Sequence, residues 1–201
     1  MTLPELAKLS VETYIKEGKI IEPPADLSEE FLQKKSGVFV TIEENGKLRG
    51  CIGTYLPTKI NIAEEIIHNA IAAAAEDYRF GPIHDKELNS LSYTVYILSE
   101  PKPVKNIKQL NPKKFGIIVK TTPFAYPSEA KGGEEIYLLD YPNENVEWFD
   151  CHVPFKSGLL LPDLEGIDTI EKQIFIACQK GGINPAKEKI IIYKFTVEKY
   201  Q

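Results

Sequence analysis

Asn45-Gly46 lies between two runs of alternating apolar residues, and this dipeptide restricts the chain more than any other feature. A type I′ turn needs positive φ at both central residues, which asparagine and glycine tolerate, so the flanking runs are read as a hairpin. Val38, Val40 and Ile42 alternate with Phe39 and Thr41 on the way in, and Lys47-Leu48-Arg49-Gly50-Cys51-Ile52-Gly53 forms the way out. With Asn45 and Gly46 as the loop, Glu44 faces Lys47. Uninterrupted pairing then sets Ile42 opposite Arg49, Val40 opposite Cys51 and Val38 opposite Gly53. Paired residues share a face, so Arg49 and Cys51 are expected to project together beside an apolar row.

The rest of the chain mixes helices and strands. Leu3, Leu6, Ala7, Val11, Tyr14 and Ile15 recur at helical spacing, with Pro4 suited to the first turn and Gly18 to the stop. A second helix is expected from about Ile62 to Asp77, capped by Asn61 with Glu64 three residues on. A third is expected to begin at Asp168, with Glu171 three residues on, and to end at Gly181-Gly182. Strands are expected around Tyr93 to Leu98, Phe115 to Val119, Leu159 to Leu161 and Ile190 to Val197. The last is apolar on both faces, as a central strand is. Pro123, Pro127, Gly132-Gly133, Pro142 and Pro154 punctuate residues 121–157, where only Ile136 to Leu139 reads as a strand. That stretch is read as an excursion from a single domain whose main lobe is 1–120 and 158–201. Mixed elements and an antiparallel hairpin argue an α+β fold, with helices packed on one largely antiparallel sheet.

A net charge of −5 disfavours bulk nucleic-acid binding. The run from Lys102 to Lys114 holds five lysines with no aromatic residue before Phe115, and is expected to be a solvated loop. The three cysteines, Cys51, Cys151 and Cys178, are odd in number and far apart. They make neither a disulfide framework nor a CxxC metal pair, and they point to a reducing compartment. The N-terminus has no basic, then apolar, leader pattern and no apolar run reaches membrane-spanning length. The expectation is a cytoplasmic protein without membrane contact.

Two segments carry residues suited to chemistry. In the first, Cys51 is the candidate nucleophile and Arg49 a fixed cation able to hold a small anionic ligand and to favour the thiolate. Gly50 and Gly53 flank the cysteine, and glycine is tolerated where a ligand or another backbone comes close. A packed core cysteine is the competing reading. The second segment is Asp77-Tyr78-Arg79-Phe80-Gly81-Pro82. Asp77 and Arg79 there would fix each other and shape a pocket wall; alternatively, Arg79 complements a helix end while Phe80 plugs the core. His84 follows closely and is a candidate general base. His68 reads as a surface or boundary residue, and the adjacent Cys151-His152 pair is ill placed for chelation. No metal motif, phosphate-binding loop or cofactor signature is present.

Leu48-Arg49-Gly50-Cys51-Ile52-Gly53-Thr54 resembles the signature of the AMMECR family. Asp77-Tyr78-Arg79-Phe80 resembles the family's D-P-R-F segment, with tyrosine for proline. Gly158-Leu159-Leu160-Leu161-Pro162 resembles its G-L-L-L-P segment. Gln173 with Cys178-Gln179-Lys180-Gly181-Gly182-Ile183 resembles its closing motif, with glycine for alanine at 181. The long stretch holding Trp148, Cys151 and His152 departs from the family pattern and is of a length that is usually functional or mobile. The resemblance implies a two-lobed α+β fold with Arg49 and Cys51 near the cleft. It also implies company with a Memo-type protein and a radical S-adenosylmethionine enzyme, a setting rather than a chemistry.

Overall fold

The computed structural model describes residues 1–122 and 156–201. The strand expected at Ile136 to Leu139, Trp148 and the Cys151-His152 pair lie outside the described residues. The chain forms two compact units, Met1–Glu100 with Val197–Gln201, and Pro101–Thr196.

The first unit is built on an antiparallel sheet of β1 (Val38–Glu44), β2 (Lys47–Thr54), β3 (Leu91–Leu98) and β8 (Val197–Tyr200), in the order β2-β1-β3-β8. The hairpin turn forms as expected, with φ of 51° at Asn45 and 75° at Gly46. Helices α1 (Leu3–Glu17) and α3 (Ile62–Ala75) supply the core against Val38, Val40, Ile42 and Val95. Leu6, Val11, Ile66 and Ala70 are fully enclosed; each buried aliphatic side chain of Val or Leu size stabilises by about 1.5–3 kcal/mol. The α1 stripe starts at a capping box between Thr2 and Glu5 and stops at left-handed Gly18. Asn61 caps α3 by accepting from the Glu64 amide at 2.9 Å. A short helix, α2 (Glu29–Gln33), interrupts the link after Pro23-Pro24, and its Phe31 meets Tyr200 edge to face.

The hairpin register differs from the uninterrupted one. Glu44 faces Lys47 and Glu43 faces Leu48, but Ile42 then faces Gly50, Thr41 faces Cys51, Val40 faces Ile52 and Phe39 faces Gly53. Arg49 is therefore the extra residue of a β-bulge. Close approach of α3 requires this shift. A Cβ on Gly50 would run into the Ala73 carbonyl, so glycine must occupy the inward position opposite Ile42. A straight register would have put Arg49 there.

The second unit holds β4 (Lys102–Pro103), β5 (Gly116–Thr121), β6 (Ser157–Leu160) and β7 (Ile190–Phe195), antiparallel in the order β4-β7-β5-β6. Helix α4 (Ile170–Lys180) buries Ile174, Ala177 and Cys178 with Ile117, Val119, Leu160, Ile190 and Ile192. Gln173 is fully enclosed and its amide donates to the Phe115 carbonyl at 2.8 Å. The cap of α4 is Thr169, accepting from the Lys172 amide, rather than Asp168, which pairs with Lys113 at 2.8 Å.

The sheet count is thus two rather than one. The apolar run from Ile190 to Val197 divides at Thr196, giving β7 to the second sheet and β8 to the first. β-branched and aromatic residues continue through the break, so the local pattern carries no sign of the change of sheet. The α+β class with antiparallel sheets and packed helices stands.

Candidate functional site

β2 is an edge strand, and an unpaired edge exposes backbone donors and acceptors. At Cys51 those groups are covered by the segment following α3. The Cys51 amide donates to Asp77 Oδ2 at 2.9 Å, and its carbonyl accepts from Arg79 Nη2 at 3.2 Å. Arg79 in turn grips Asp77 from Nε to Oδ1 at 2.9 Å and from Nη2 to Oδ2 at 2.7 Å. The local chain makes this possible. The amides of Phe80 and Gly81 donate to the Asp77 carbonyl, and Gly81 turns the chain at φ 71° so that Ile83 bonds back to Ala74. Carboxylate and guanidinium therefore occupy the place of a next strand. The hydrogen bond from Arg79 holds the Asp77 carboxyl well down, at about 2, against the opposing effect of burial.

The Cys51 side chain lies on the sheet face away from α1 and α3. Phe39 and Thr41 alternate with the core residues Val38, Val40 and Ile42, and Cys51 stands opposite Thr41, not Val40. The Thr41 hydroxyl donates to Cys51 Sγ at 3.3 Å. The thiol is half-buried. Its expected apolar neighbour is replaced by a hydroxyl because the bulge moves the register. Tyr96 shares this face through its pairing with Phe39; burial first, and then the nearby thiol, push its phenol up.

Arg49 serves a different part of the unit. Its Nε donates to Glu87 Oε1 at 2.8 Å, Nη1 to the Gly81 carbonyl at 3.0 Å and Nη2 to the Pro82 carbonyl at 3.0 Å. Both partners of this ion pair are largely enclosed, with side chains 14% and 15% exposed. Arg49 also holds the Glu87 carboxyl below its usual range, against burial. The guanidinium thus braces the hairpin against the loop after α3, and the cation hydrogen-bonded to Cys51 is Arg79. Nor do the two glycines leave space open: Gly50 lies under the Ala73 carbonyl and Gly53 under the Phe39 ring. His84 contributes its main-chain amide, which donates to Glu87 at 2.7 Å. Phe80 does not plug the core. It is 39% exposed and Tyr78 is 93% exposed, with the Arg79 guanidinium 5.2 Å from the Phe80 ring centre.

The structure brings Cys51, Asp77 and Arg79 together and adds Thr41 at the cysteine and Glu87 at Arg49, two residues that belong to no motif in the sequence. Thr41 was readable only with the bulge known. Glu87 sits 38 residues from Arg49 and carried no local signal. Among the described residues no three His, Cys, Asp or Glu side chains converge as a metal site requires, and no helix is long and apolar enough to cross a membrane.

The AMMECR1 family model matches residues 4–200. The chain belongs to the AMMECR1 family. This AMMECR1 chain is 43% identical to a Thermotoga maritima protein over 95% of its own length and 92% of the relative's. It is 37% identical to a Clostridium acetobutylicum protein over 98% of its length, but spans only 35% of that longer relative. The crystal structure of an uncharacterized Pyrococcus horikoshii protein superposes with a TM-score of 0.76 at 30% identity, covering 98% of this chain and 88% of that one.

Proposed function

We propose that this AMMECR1-family chain is an enzyme whose nucleophile is Cys51, acting on a small substrate with an anionic group. Arg79, hydrogen-bonded to the Cys51 carbonyl, supplies the positive charge at this residue, and Asp77 fixes that guanidinium in place. The observation carrying this reading is the donation from the Thr41 hydroxyl to Cys51 Sγ at 3.3 Å, on a residue whose own carbonyl is held by Arg79. A hydroxyl donating to sulfur orients the thiol, and a guanidinium anchored on the same residue offers a hold for an anionic group. The free thiols Cys51 and Cys178 support a reducing, cytoplasmic setting.

Peptide-resolved alkylation with iodoacetamide at neutral pH tests it. Cys51 is expected to react well ahead of buried Cys178, and Thr41→Val to slow Cys51 several-fold. Equal rates at the two cysteines, or no effect of the valine, would remove the reading.

A second reading is a non-catalytic partner subunit for a Memo-type protein and a radical S-adenosylmethionine enzyme. It is favoured by Tyr78 and Phe80, which stand exposed on either side of Arg79. Exposed aromatic and arginine side chains are the usual anchors of protein interfaces. Co-purification with either partner that Tyr78→Ala abolishes would support it; no association with either would exclude it.

A further inference from the structure

The second unit, Pro101–Thr196, holds thirteen lysines, no arginine and twelve carboxylates, and distributes them unevenly: residues 101–122 contain six of the lysines and none of the carboxylates. Three of these lysines, Lys102, Lys114 and Lys194, gather in one place. Lys102 on β4 stands directly opposite Lys194 on β7, and like charges in that position destabilise an antiparallel pair. Lys194 Nζ donates to the Gln109 carbonyl at 3.4 Å and lies 4.7 Å from the centre of the Phe115 ring. Lys114 Nζ lies 5.3 Å from the same ring. The Gln109 side chain accepts from the Lys105 amide, and exposed Lys108 precedes it in the chain.

Among the described residues, no carboxylate pairs with Lys102, Lys105, Lys108, Lys114 or Lys194. Neighbouring Lys113, by contrast, reaches Asp163 at 3.6 Å and Asp168 at 2.8 Å. A surface that concentrates cations and leaves them without acids is complementary to an external polyanion. We propose that it binds the phosphate backbone of a nucleic acid strand without reading its bases.

The residue types decide between nucleic acid and an acidic protein. Protein interfaces are rich in arginine and aromatic anchors and poor in lysine. A carboxylate partner favours the planar arginine fork, whereas lysine acts as a point charge on phosphate. The one ring in the patch, Phe115, is approached by two ammonium groups. Neither an arginine for base edges nor a free stacking platform is at hand, so no sequence preference is expected. The lysine run alone reads as a solvated loop. The fold adds Lys194, which is 80 positions beyond Lys114 in the numbering, and so turns the run into a surface.

The test is fluorescence anisotropy of labelled oligonucleotides of about 20 residues, a length spanning several backbone contacts, titrated with the full-length chain at a series of salt concentrations. One arm uses RNA and the other DNA of the same mixed sequence, which distinguishes the two sources of phosphate. Binding should weaken linearly in log–log form, with a slope of about 0.7 per phosphate contacted. The triple variant Lys102→Gln/Lys114→Gln/Lys194→Gln should lose about 2 from that slope and about tenfold or more in affinity. A control triple in the first unit, Lys8→Gln/Lys16→Gln/Lys19→Gln, should bind as the wild type does. Wild-type affinity in the patch variant overturns the proposal. So does binding of a labelled polyglutamate peptide, but of neither oligonucleotide, through these lysines. Should the variant fail to fold, the wild-type salt slope decides alone, and a slope near zero overturns it.

Discussion

The Cys51 amide donates to the Asp77 carboxylate at 2.9 Å, joining the edge of β2 to the turn that ends α3. This bond and the Arg79 bridge to the Cys51 carbonyl give an edge strand the partners a neighbouring strand would provide. Asp77 and Arg79 thereby hold both main-chain polar groups of Cys51.

Asp77 makes the unit's stability sensitive to acid. Arg79 lowers its carboxyl to about 2, against about 3.9 for an unperturbed aspartate. A depressed folded-state value stabilises fully above the unfolded one, and that stabilisation is lost as pH falls from about 4 through about 2. The shift alone converts to about 2.5 kcal/mol. Arg79 is 44% exposed, however, and solvent screening brings this to roughly 1–2 kcal/mol. Asp77→Asn should be less stable by that amount at neutral pH, and urea unfolding at a series of pH values should show the gap closing toward pH 2. A gap that persists there contradicts the assignment.

Arg49 and Glu87 should be energetically coupled. Both are largely enclosed, and removing one partner strands the other. A double-mutant cycle with Arg49→Ala and Glu87→Ala is expected to give about 1–3 kcal/mol of coupling. Arg49→Lys should also destabilise, because an ammonium cannot reach Glu87 and the Gly81 and Pro82 carbonyls together. Additive single effects in chemical unfolding would show that the bridge contributes nothing.

Glu65 is a buried charge with a structural purpose. It is 1% exposed and accepts from the Thr54 hydroxyl, the Thr58 hydroxyl and amide, and the Lys59 amide. Burial pushes its carboxyl up, but the four donors outweigh that and hold it below the usual range. Glu65→Gln would present an amide that cannot satisfy all four donors, at a cost of roughly 2–3 kcal/mol. Thermal unfolding of the variant at neutral pH checks this, and an unchanged midpoint contradicts it.

Gly50→Ala should be the most damaging small substitution in the hairpin. The new methyl meets the Ala73 carbonyl, part of a rigid helix, and overpacking of this kind costs about 1–3 kcal/mol. Gly46→Ala meets no neighbour and carries only the strain of its positive φ, about 1 kcal/mol. Equal unfolding midpoints for the two variants would contradict the close approach of α3.

Much of this was legible in the sequence because it is local. The Asn45-Gly46 turn, the Asn61 cap and the Gly18 stop each depend on residues within one turn of each other. The bulge was not legible, because its cause is a carbonyl of α3, distant in sequence from Gly50. That single shift exchanged Val40 for Thr41 opposite Cys51 and redirected Arg49 to Glu87. The division of the last apolar run at Thr196 was hidden for a similar reason: both strands obey the same two-residue alternation, and only tertiary pairing assigns them to different sheets.

Under the proposed function, the Arg79–Asp77 pair serves the Cys51 thiol as well as the strand edge. The rate at which iodoacetamide modifies Cys51 in wild type and Arg79→Gln, at neutral pH and low salt, tests it most directly. Loss of the cation is predicted to slow the reaction several-fold, with the difference shrinking as salt rises. An unchanged or faster rate in a folded variant would contradict it.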